Sequence, residues 1–77
     1  MKTKVKELRM ARGITQLQLA QMTNVTPRTI ISIETGQYKP SLMLAYRLSL
    51  ALETSVEDLC CLRENMEMED RRYEEDP

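Results

Sequence analysis

Thr26, Pro27, Arg28, Ile31 and Ser32 fall within seven residues of one another. Together they offer a planar guanidinium fork, two hydroxyls that can donate or accept, and aliphatic groups. This set suits the reading of a patterned polar surface better than covalent chemistry. The 77-residue chain has no histidine and two glycines. It therefore presents no nucleophile–base arrangement and no glycine-rich phosphate loop, and no enzyme is expected. The cysteines, Cys60 and Cys61, are adjacent and cannot close a loop between them, so neither a disulfide framework nor a zinc site is expected. They read as one packed and one partly exposed thiol, with a redox or metal switch as the lesser alternative.

The polar set must be held by a helix, and the local sequence supplies one. Thr26 is placed to cap it, Pro27 sits at its first position where a missing N–H costs nothing, and Gly36 stops it. Val25 can pack on Ile30 across the cap. Ile30 and Ile33 form an inward face, which leaves Pro27, Arg28, Ile31 and Ser32 outward or at the leading end. Before it, Lys4 to about Arg12 fits a first helix with Val5 and Leu8 inward, stopped by Gly13. A second begins at Thr15, whose capping box with Gln18 and Ile14–Leu19 staple mark its start. Leu19, Ala20 and Met22 point to the core, and Thr23–Asn24 ends it. Ser41 caps a fourth, from Leu42 to about Leu52, with Leu42, Ala45, Leu48 and Leu52 on one side. Ser55 caps a short fifth that carries Val56 and Leu59. No segment alternates as a strand would. The expectation is an all-α, compact five-helix bundle.

Only Asn24 to Thr26 separate the second and third helices, the layout of a helix-turn-helix in which the second member lies in the DNA major groove. From Val5 to Leu59 the sequence resembles the lambda-repressor-like helix-turn-helix domain of the xenobiotic-response-element (Cro/repressor) type. The motifs that carry the resemblance are "KELRMARGITQLQLA", "VTPRTIISIETG", "KPSLMLAYRLSLAL" and "SVEDL". It implies double-stranded DNA as partner and base-facing roles for Pro27, Arg28, Ile31 and Ser32. Arg28 would donate twice to guanine, Ser32 would bond to several bases, and Ile31 and the Thr26 methyl would meet thymine methyls. Ile31 could equally pack on a neighbouring protein surface. The resemblance assigns phosphate contact to Gln16 at the start of the second helix, and backbone clamping to Thr35, Gln37, Tyr38 and Lys39. It also makes Arg9 and Glu34 a partly buried structural ion pair. Asn24 and Glu53 stand where glycine is usual, and Thr23 where an apolar core residue is. Met10, Leu17, Met43 and Leu50 are apolar where polar groups are common, which suggests a second contact surface.

The net charge of −1 hides a division. Residues 1–62, read as the DNA-binding domain, carry eight Lys/Arg and five Asp/Glu; residues 63–77 carry three Arg and seven Asp/Glu. The tail is read as a partly helical extension followed by disorder over "YEEDP". Leu59, Leu62 and Met66 recur at helical spacing and are the expected dimer contact, which would set two reading helices about 34 Å apart on a near-palindromic site. The sequence therefore points to a cytoplasmic, sequence-specific transcriptional regulator, a homodimeric repressor without cofactor or metal. The rival is an antitoxin- or adaptor-like protein-interaction module of the same fold, with the acidic tail as a possible partner surface.

Overall fold

The computed structural model describes the backbone of residues 1–75 and the side chains of residues 1–71. Six helices follow one another: α1 (Val5–Ala11), α2 (Gln16–Thr23), α3 (Pro27–Glu34), α4 (Leu42–Ala51), α5 (Val56–Leu59) and α6 (Leu62–Glu75). No strand occurs among the described residues. The all-α reading holds, with six helices among the described residues rather than five. The expected extension of the fifth helix is a separate element because the chain turns at Cys61, whose φ is +46°. The Asn65 amide nitrogen secures that turn by donating to the carbonyls of Cys60 (2.7 Å) and Cys61 (3.1 Å). It also donates to Lys2 O at 2.8 Å, while its carbonyl accepts Lys2 N–H at 3.1 Å, so α6 is laced to the first residues of the chain. Residues 73–75, expected beyond the ordered part, lie inside α6. The rest of the "YEEDP" expectation, Asp76 and Pro77, lies outside the described residues.

The four helix starts expected to carry a side-chain cap do so with one exception. Thr15 Oγ1 accepts the Gln18 N–H at 3.0 Å and Gln18 Oε1 accepts the Thr15 N–H at 2.8 Å, a complete capping box. Ser41 and Ser55 cap α4 and α5 by accepting the N–H groups of Leu44 and Asp58. Thr26 has the extended cap backbone, but its hydroxyl bonds the Thr29 hydroxyl at 3.3 Å and caps nothing. Asn24 (φ +60°) and Glu53 (φ +53°) take the left-handed conformation at the glycine-like positions. Asparagine tolerates this through its short polar side chain, whereas glutamate bears the larger Cβ cost.

α2 packs on both α3 and α4, α1 on α3, α4 on α5, and α5 on α6. Val5, Leu19, Ala20, Ile30, Ile33, Leu44, Ala45, Leu48, Leu52, Leu59 and Cys60 share the core. Thr23 is buried there too, and its hydroxyl donates to Leu19 O at 2.8 Å, which satisfies the polar atom inside its own helix. Two inward assignments fail. Met22 is 55% exposed and Leu42 is 82% exposed, the α4 face being built instead from Leu44, Ala45, Leu48 and Ser49. Both cysteines are buried, so neither is the partly exposed thiol expected. Desolvation, with the Cys61 thiol adding, raises Cys60 above the usual thiol range and keeps it a neutral packing group.

Candidate nucleic-acid interface

α2 ends at Thr23 and α3 begins at Pro27. The Val25 N–H reaches back to Ala20 O at 3.0 Å, and Asn24 supplies the left-handed bend between the helices. Ile30 and Ile33 are buried and fix the rotation of α3 about its axis. That rotation leaves Thr26, Pro27, Arg28 and Ile31 exposed and Ser32 half-buried. Arg28 is in no ion pair among the described residues, so its donor fork remains available. Ile31 keeps 43% of its surface in solvent although it is aliphatic. The five candidate reading residues thus share the leading end and outer side of one helix, with Ser32 at its edge.

The structure joins the scaffold pair to the candidate phosphate ligand. Arg9 meets Glu34 in a fork, Nε to Oε2 at 2.7 Å and Nη2 to Oε1 at 3.2 Å, with side chains only 12% and 3% exposed. Arg9 Nη1 also donates to Ile14 O at 2.9 Å, tying α1 to the loop before α2. Gln16 Nε2 donates to Glu34 Oε1 at 3.0 Å. An amide nitrogen carries two protons, so Glu34 sets the orientation of Gln16 and leaves the second proton for an anion. This link was not foreseen; the capping pattern at Thr15 places Gln16 at the helix start but says nothing of its neighbour in space.

Beyond α3, the Ser32 carbonyl accepts the N–H groups of Gln37 (2.9 Å) and Tyr38 (3.1 Å), folding the loop back on the helix end. Gly36, at φ +78°, makes that reversal. Thr35, Gln37, Tyr38 and Lys39 are all exposed along it. The Thr35 hydroxyl and N–H both donate to Ile31 O at 3.0 Å, so toward a phosphate it has a rotated hydroxyl to offer. Lys39 Nζ lies 3.1 Å from Glu69 Oε1 of α6 in an exposed pair. Of the three expected dimer residues only Leu62 and Met66 reach the surface. Leu59 is fully buried in the chain's own core and presents no surface to a partner. Its helical spacing with Leu62 was misleading because the turn at Cys61 breaks the helix between them.

Residues 5–59 match the family model described as "Helix-turn-helix". The chain belongs to that family, of the Cro/C1 type. Two helix-turn-helix relatives are each 44% identical to it. One is an uncharacterized HTH-type transcriptional regulator of Methanothermobacter thermautotrophicus, aligned over 84% of this chain and 96% of that protein. The other is YgzD of Bacillus subtilis, an uncharacterized HTH-type transcriptional regulator, over 83% and 97%. Among solved structures, the helix-turn-helix fold superposes on the restriction-modification controller protein C.AhdI from Aeromonas hydrophila. That match has a TM-score of 0.67 and 29% identity, over 71% of this chain and 83% of that one. The clp gene regulator ClgR from Corynebacterium glutamicum matches with a TM-score of 0.69 and 26% identity, over 94% of this chain and 76% of that one.

Proposed function

We propose that this helix-turn-helix protein is a repressor that binds a near-palindromic operator as a homodimer, with α3 in the major groove. That it is a DNA-binding transcriptional regulator follows from its family and from relatives so named. The observation that carries the finer reading is the division of α3. Ile30 and Ile33 lock it into the core while Arg28, with no carboxylate partner among the described residues, and Ile31 stand outward. In this reading Arg28 takes guanine O6 and N7, Ile31 and Thr26 meet thymine methyls, and Ser32 completes the set. Pro27 contributes shape alone, having no N–H to donate. Gln16, the N-terminus of α2, and residues 35–39 hold the phosphates and supply most of the affinity, which makes binding strongly salt-dependent.

No helix among the described residues is long and apolar enough to cross a membrane, and we place the protein with the DNA, in the cytoplasm. The feature that favours the protein-interaction alternative is the exposed apolar side of α4. The homodimer proposed here offers a second copy of the chain as its cover. The deciding experiment is selection of bound sites from a random double-stranded DNA library. Enrichment of a two-fold motif is expected; recovery of no motif would reject sequence-specific binding in favour of the interaction module.

A further inference from the structure

Two members of the expected phosphate set already face a carboxylate, and the two contacts differ in kind. Gln16 meets Glu34, which is 3% exposed and held by the Arg9 fork, so that contact belongs to the scaffold. Lys39 meets Glu69 of α6 at 3.1 Å with side chains 66% and 65% exposed, a bridge that solvent and other anions can reach. Such a pair adds little to stability, yet the fold aims it. Glu69 follows Asn65 by four residues, so both lie on one side of α6. Asn65 bonds the N–H and carbonyl of Lys2 and the carbonyls of Cys60 and Cys61, and Glu64 takes the Lys2 ammonium at 2.9 Å. The base of α6 is thereby fixed, and its next turn is directed at the loop after α3. Depressions of about 740 Å³ and 250 Å³ share Met1, Lys39, Asn65 and Glu69 in their walls. The bridge is therefore bordered by open depressions and can be parted without unpacking the core.

We propose that Glu69 stands in for a DNA phosphate at Lys39, and that α6 is an autoinhibitory arm which DNA must displace from that lysine. The proposal rests on the phosphate role given to Lys39 above. An ammonium can donate three hydrogen bonds, but a phosphate brought to Lys39 lies beside the Glu69 carboxylate, and like charges at that range repel. Binding therefore parts the bridge and turns Glu69 away. Residues 63–71 of α6 carry four carboxylates and two arginines, so the arm adds net negative charge beside the clamp. The requirement is the same for every duplex, because a phosphate contact carries no sequence information. It lowers affinity for operator and random DNA alike. At a given protein concentration, only a duplex that adds base contacts to α3 then stays occupied. The arm thus sets a threshold for occupancy and leaves base preference to α3.

Equilibrium binding of the full chain to the selected operator and to a random-sequence duplex, at one ionic strength of about 0.15 M, tests this. Glu69→Gln keeps the shape of the side chain and removes its charge. It is expected to tighten binding to both duplexes about two- to fivefold per copy of the chain, the range of an exposed pair, with base preference unchanged. Glu67→Gln removes an equal charge from the far side of α6, where Glu67 pairs with Arg63, and should leave both affinities as they were. In a Lys39→Ala background the gain from Glu69→Gln should vanish, because the carboxylate then has no clamp to occupy. If Glu69→Gln alters helical circular dichroism, Glu69→Ala carries the same comparison. A Glu69→Gln chain that binds no tighter than the unmodified one overturns the proposal. So does an equal gain from Glu67→Gln, or a gain that persists undiminished without Lys39, since either means general repulsion. A chain that binds no duplex, with or without Glu69, removes the DNA reading and this proposal with it, which sets that failure apart from the others.

Discussion

Glu34 does more than neutralise Arg9. One carboxylate receives two bonds from the guanidinium and one from Gln16, and it is almost wholly withdrawn from solvent. Removing one side strands a buried charge, so Glu34→Ala or Arg9→Ala should each lower unfolding free energy by about 3–5 kcal/mol. Removing both should cost less than the sum of the two, since no lone charge remains. Denaturant unfolding of the three variants checks this, and a loss under about 1 kcal/mol for Glu34→Ala would contradict a buried-pair role. Because Gln16 takes its orientation from the same carboxylate, Glu34→Gln should reduce DNA affinity even at temperatures where the variant remains folded.

At the scale of elements, the loop after α3 and the α6 arm meet at Lys39. Its pair with Glu69 is exposed, and such pairs contribute little to stability, so a phosphate can displace the carboxylate. Lys39→Ala is expected to weaken binding equally on all sequences and to lower the salt slope by about one. Glu69→Gln should strengthen binding modestly. Titrations from low to moderate salt separate the two, and a sequence-dependent effect of Lys39→Ala would remove it from the phosphate set. Much of this architecture was legible in the sequence, because caps are local chemistry. Thr15 with Gln18, Ser41, Ser55, Gly13 and Gly36 mark helix ends without reference to the rest of the fold. The inner face of α4 is not legible, because a helix apolar on both sides gives periodicity nothing to separate, and Leu42 fits the spacing as well as the buried Leu44 does. The α5–α6 junction was missed for a different reason. Cys61 has no intrinsic preference for a left-handed backbone, and the Asn65 side chain that fixes the turn lies four residues later. The outward side of α3 was readable because Ile30 and Ile33 are the apolar pair spaced to face the core, with Pro27 marking the start.

For the whole molecule, the account joins a reading helix to a two-fold axis. A domain with a front of eight basic and five acidic residues gains limited affinity from charge alone, and two copies on one duplex raise it by making the second contact intramolecular. A homodimer on a near-palindromic site would hold two α3 helices in successive major grooves, about 34 Å apart. The claim on which the rest depends is that α3 distinguishes bases, with Arg28 as its chief donor. The direct measurement compares the unmodified chain and Arg28→Ala on the selected operator, on its single-base variants and on a scrambled duplex at one salt concentration. The account predicts that Arg28→Ala loses about 1–3 kcal/mol on the operator, relaxes preference at one base pair in each half-site and changes binding to the scrambled duplex far less. An equal loss on operator and scrambled DNA would contradict it and make Arg28 a phosphate contact.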